Sequence, residues 1–157
     1  MSSDQHIRTA FDRDLDQLQA QMLRMGGLVE VAILDAAKSF ETQDVQLADE
    51  VRVADRIIDD IEAQINEDVA SIIALQAPAA RDLRLLLSIL KVAGNLERIG
   101  DYAKNMAKRT HLLLQLPNIE NSSSSLRRLS REVQLMLKDS LDAYVQRNTE
   151  LAKDVII

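Results

Sequence analysis

Cysteine and tryptophan are absent from these 157 residues, aromatic side chains make up 3%, and there are four glycines and two prolines. Without cysteine there is no disulfide framework and no thiolate chemistry, which fits the cytosol. The apolar share of 46% excludes disorder. With so few aromatics it is drawn from Leu, Ile, Val, Ala and Met, a stock that suits long packed helices better than a sandwich or barrel. No stretch approaches the ~18 consecutive apolar residues of a membrane span. Met1 to Asp16 is polar and charged, unlike a signal peptide. Positive charge is in deficit, 19 Lys and Arg against 25 Asp and Glu, for a formal net charge of −6. That balance argues against broad binding to nucleic acid, because phosphate contacts need a basic face, and the local cluster Arg127, Arg128 and Arg131 does not reverse it. The reading is an all-α, cytoplasmic protein.

What the chain does have is heptad spacing. Phe11, Leu15, Leu18, Met22, Met25, Val29, Ala32 and Ala36 recur in alternating steps of four and three, which predicts a first helix from about Ser3 to Phe40. Gly26-Gly27 interrupts it, marking either a bend or a close helix contact. After the polar turn Glu41-Thr42-Gln43-Asp44, the same steps resume in Leu47, Val51, Ala54, Ile58, Ile61 and Ile65. Pro78 separates this second helix from a third, running from Ala79 to about Leu116. Its seam is Leu85, Ile89, Val92, Leu96, Ile99, Ala103 and Met106, widened by Leu86, Leu90 and Ala93, a stripe broad enough to touch two partners. At ~1.5 Å per residue the helices are about 45 to 55 Å long, so short turns between them give an elongated antiparallel three-helix bundle over residues 1–117.

Pro117 to Asn121 and the four serines Ser122 to Ser125 read as a linker over 118–125, with helix resuming at Leu126. Beyond it, Val133, Asp139, Leu151, Ala152 and Val155 match Val29, Asp35, Leu47, Ala48 and Val51 at a constant offset of 104, and Tyr144 falls opposite Phe40. Residues 126–157 therefore read as the first part of a second, repeated bundle. Val155-Ile156-Ile157 offers no cap, so the expectation is a chain cut inside a helix, with apolar faces that favour dimerisation.

Two acid pairs stand out. Asp55 and Asp59 lie one turn apart on the second helix, each following a seam residue; Glu97 and Asp101 lie one turn apart on the third, where an apolar face turns acidic. Four carboxylates brought together repel, and hard cations prefer oxygen ligands, so a metal ion is the sharper reading. On spacing alone the simpler one is a solvated acidic flank, with Arg56, Arg98, Lys91 and Lys104 supplying surface ion pairs.

The segments Asp55 to Glu62, Pro78-Ala79-Ala80-Arg81-Asp82-Leu83-Arg84 and Leu96-Glu97-Arg98-Ile99-Gly100-Asp101-Tyr102-Ala103-Lys104-Asn105 together resemble the PhoU family. The resemblance covers essentially the whole chain and implies two three-helix bundles in tandem, the second incomplete here. It further implies a cytoplasmic adaptor that negatively regulates the phosphate-starvation response. Such an adaptor links the ATPase of a high-affinity phosphate ABC transporter to a phosphate-sensing histidine kinase, and is peripheral to the membrane only through those partners. The resemblance also implies metal clusters on paired Glu/Asp-x-x-x-Asp motifs, matched by Asp55 with Asp59 and Glu97 with Asp101, the metal being iron, zinc or magnesium. Tyr102 and Asn105 either extend that polar site or lie on the surface, and Asp82 either favours the positive end of its helix, the preferred reading, or takes part in partner recognition.

Ferritin-like di-iron enzymes need Glu-x-x-His pairs, and neither His6 nor His111 has an acid three residues earlier. There is no Ser/His/Asp or Cys/His set on which to build catalysis, so no enzyme is expected. The alternative to a regulator is a helical metal-binding scaffold without a phosphate-signalling role.

Overall fold

Where heptad spacing is longest, helix is longest: α1 runs Ser2–Thr42, about 60 Å at 1.5 Å per residue. The computed structural model describes residues 2–113 and 122–156. After α1 come α2 (Val45–Gln76), α3 (Ala80–Leu113), α4 (Ser122–Gln146) and the short α5 (Thr149–Asp154). Helices α1, α2 and α3 pack mutually as a three-helix bundle, α4 lies along α1, and α5 touches α4. The expected end of the third helix at Leu116 and the Pro117–Asn121 part of the linker lie outside the described residues. Ser122 to Ser125 are not linker: they open α4, as suits serine in the first turn of a helix.

The turns obey their chemistry. Asp44 caps α2, its side chain accepting from the Leu47 amide, while Gln43 takes a left-handed conformation at φ 55°. Ala77, also left-handed, closes α2 by donating to the Ile73 carbonyl, and Pro78 follows it. The α4–α5 turn copies the α1–α2 turn at the offset of 104. Arg147 has φ 52°, Asn148 caps α5 as Asp44 caps α2, and the Asn148 amide donates to Ala143 as the Asp44 amide does to Ser39, both at 2.9 Å.

The α1 seam is core as expected: Phe11, Leu18, Met22, Met25, Val29, Ala32 and Ala36 are buried, and Leu15 is half-buried. On α2 the buried face is Ala48, Val51, Asp55, Ile58, Ile61, Ile65, Val69 and Ile72. Ala54, placed on the seam by sequence, is exposed, and Asp55 takes the core position instead. On α3 the centre of the stripe is Leu86, Ile89, Ala93, Leu96, Gly100, Ala103 and Ala107, with Leu85, Val92, Ile99 and Met106 only half-buried. A helix wedged between α1 and α2 buries the middle of a broad stripe and leaves either flank partly open.

A second seam joins α4 to α1. Gly26 makes the close contact there, since a Cβ on it would run into the Leu141 side chain, whereas Gly27 has open space. Arg127 pairs with Glu41 at 2.7 Å, and Gln134 donates to Glu30 at 2.5 Å. As the α4 number rises the α1 number falls, so the two helices are antiparallel. They cross where Glu30 meets its own repeat equivalent, Gln134.

A carboxylate cluster clamped by an ammonium

Antiparallel packing of α2 on α3 brings Asp55 and Ile58 against Gly100. A Cβ on Gly100 would stand 3.2 Å from Ile58 Cδ1 and 3.6 Å from Asp55 Oδ1, so the missing side chain leaves the room that Asp55 fills. Asp55 is 3% exposed. Its carboxylate is in ion contact with the ammonium of Lys104, one turn beyond Gly100, and the same ammonium bonds Asp101 Oδ1 at 3.0 Å. Lys104 thus joins one acid of each pair and ties α2 to α3.

The four candidate acids share one neighbourhood without converging equally. Asp59 is exposed, while Glu97 and Asp101 are half-buried. Partial desolvation, then the charges of Asp55 and Asp101, push the Asp59 carboxyl up, against the lowering pull of Lys104. Desolvation, then Asp101 and Asp59, likewise raises Glu97, whose protonated form also hydrogen-bonds Asp101. Hydrogen bonds to Asp55 and Asp101 raise the Lys104 ammonium and outweigh its own desolvation. These couplings show the acids facing one another electrostatically.

As a metal site the set has the right donor chemistry and the wrong arrangement. Carboxylate oxygens suit a hard cation. Among the described residues, however, no three His, Cys, Asp or Glu side chains are gathered so as to hold one, and Lys104 engages both Asp55 and Asp101. With the ammonium in place these residues do not fit a metal ion. An open cleft of about 470 Å³ borders the cluster, with Arg52, Arg56 and Lys108 on its rim.

Sequence reasoning brought the four acids together and misjudged Lys104, which it left among surface ion pairs. The available signal was register: Glu97, Asp101 and Lys104 follow in steps of four and three, so the lysine shares the acids' face. Tyr102 is 66% exposed and Asn105 is exposed, neither with a hydrogen bond among the described residues, so they do not extend the cluster. Asp82 sits in the first turn of α3, as the helix dipole favours. His111, in the last turn of α3, meets Asp49, another residue lining the open cleft, at 3.2 Å.

Helices of this length and order, with this acid pattern, match a known family. The model of the PhoU domain covers residues 22–110. The chain belongs to the PhoU family. It is 38% identical over 152 residues to the phosphate-specific transport system accessory protein PhoU homolog of Clostridium acetobutylicum, covering 94% of this chain and 68% of that one. The homolog of the same name from Pseudomonas aeruginosa is 37% identical over 150 residues, 96% of this chain and 62% of the relative. Among solved structures, PhoU from Pseudomonas aeruginosa superimposes with a TM-score of 0.86 at 36% identity, covering 92% of this chain and 69% of that one. The phosphate transport system regulatory protein PhoU from Streptococcus pneumoniae gives 0.81 at 28% identity, covering 92% and 68%. The chain thus spans roughly 60 to 70% of the length of these PhoU proteins. The PhoU bundle is the setting in which Lys104 holds its two acids.

Proposed function

We propose that the chain acts as an accessory regulator of phosphate transport. In this reading it is a non-catalytic cytoplasmic adaptor that meets the ATPase of a phosphate ABC transporter and restrains the starvation response through a phosphate-sensing histidine kinase. The observation that carries the reading is the likeness, over 92% or more of the chain, to proteins named for phosphate transport accessory and regulatory roles. No helix among the described residues is long and apolar enough to cross a membrane, so contact with the transporter would be peripheral. An adaptor also suits long rigid helices whose polar cluster is carboxylates and an ammonium. We further propose pairing with a second copy, supported by the apolar residues Leu129, Val133 and Met136 exposed on α4.

The test is alkaline phosphatase activity in phosphate-replete cells deleted for the gene, complemented with the full gene or with residues 1–157 alone. The expected result is high activity in the deletion, silenced by the full gene; silencing by 1–157 would assign regulation to this part. Activity that stays low in the deletion would overturn the regulatory reading in favour of a helical scaffold without a signalling role.

A further inference from the structure

We propose that Lys104 is the resident cation of the acid cluster, so that a divalent metal ion reaches these carboxylates only by displacing its ammonium. Asp55 is 3% exposed, and the Lys104 ammonium in ion contact with its Oδ2 is its counter-charge. A carboxylate buried to that degree needs a cation against it. The ammonium also takes Asp101, 3.0 Å away, so it bridges one acid from each helix, which is what an ion shared by the two pairs would have to do.

Competition follows from charge and geometry. An ammonium is a single charge with three donors, satisfied by two or three oxygens. A divalent ion demands several oxygens converging at ~2.0 to 2.6 Å, and no such trio exists among the described residues. The clamp is not sealed: the Lys104 side chain is 26% exposed, beside the open cleft, so an outward swing would free Asp55 and Asp101 to join Asp59 and Glu97. Removing the ammonium would leave the buried Asp55 without its counter-charge, with further cations, Arg52, Arg56 and Lys108, only along the cleft.

The experiment is a manganese(II) titration of the purified 157-residue protein, read by the loss of the free-ion electron paramagnetic resonance signal. Wild type, Lys104→Arg, Lys104→Met and Lys104→Met combined with Asp55→Asn are compared. Lys104→Met is expected to bind at least ten-fold tighter than wild type, Lys104→Arg like wild type, and the double variant to lose most of the gain. Manganese should also raise the thermal midpoint of Lys104→Met while leaving wild type unmoved. Equal binding by wild type and Lys104→Met would show that the ammonium is no competitor. No binding by a helical Lys104→Met would show that the acids make no site; either result overturns the proposal. Should Lys104→Met not fold, Lys104→Gln keeps a donor for Asp55 without the charge, and the same two outcomes decide.

Discussion

Asp55 sits between Val51 and Ile58 on the buried face of α2, a carboxylate in a row of branched apolar side chains. Its burial is stabilised by one ammonium, so the two side chains should fail together more gently than apart. Lys104→Ala strands a buried charge and is expected to cost about 3 kcal/mol in urea unfolding, the lower end for buried pairs because the lysine is partly exposed. Asp55→Leu with Lys104→Met removes both charges and should cost well under half of that. The raised carboxyls predict a pH signature. For Asp59 and Glu97 the folded state holds the proton more tightly, so stability declines as pH rises from their ordinary values of 3.8 and 4.5 through the raised ones. Asp59→Asn and Glu97→Gln should each stabilise at pH 7, by less than about 1 kcal/mol given solvent screening, and the gain should vanish near pH 3. Lys104 has the opposite placement: its contribution is complete below its ordinary value of 10.5 and is lost as pH rises through the higher folded value.

Among the helices, α1 carries two seams, and its two adjacent glycines separate them experimentally. Gly27→Ala meets nothing and should stabilise by about 0.5 to 1 kcal/mol through helix propensity. Gly26→Val would drive into Leu141 and is expected to loosen α4 from α1, read as faster hydrogen exchange along α4 with α2 and α3 unaffected. Leu96→Ala, in the centre of the bundle at 2% exposure, should cost about 2 to 5 kcal/mol. Helix order, turn positions and the α1 seam were legible in the sequence because heptad steps and capping residues are local signals. The phase of α2 was legible too, in Val51, Ile58, Ile61 and Ile65, but its one buried acid was not. Ala54 and Asp55 compete for one core position, and hydrophobicity favours Ala54. What reverses the choice is a neighbour 45 residues on, Gly100, whose missing side chain and nearby lysine make the buried acid tolerable. The breadth of the α3 stripe was visible, but its centre depends on the angle between α1 and α2, which no window along one helix contains.

For the molecule as a whole, the repeat leaves one face unequal. Met25, Val29 and Ala32 are buried in the first bundle, while their equivalents Leu129, Val133 and Met136 are 59%, 45% and 50% exposed. The 157-residue protein should therefore self-associate, and Leu129→Gln with Met136→Gln should shift sedimentation equilibrium toward monomer without loss of helicity. The α1–α4 seam is the more even face: Gly26 meets Leu141, the copy of Ala37, and Glu30 meets its own copy, Gln134. Such a crossing has a local dyad, and a residue on a dyad meets itself. Two identical chains joined this way would set glutamate against glutamate. Two copies on one polypeptide escape that constraint, because each can mutate alone, and glutamine opposite glutamate turns a self-repelling position into a charge-assisted hydrogen bond.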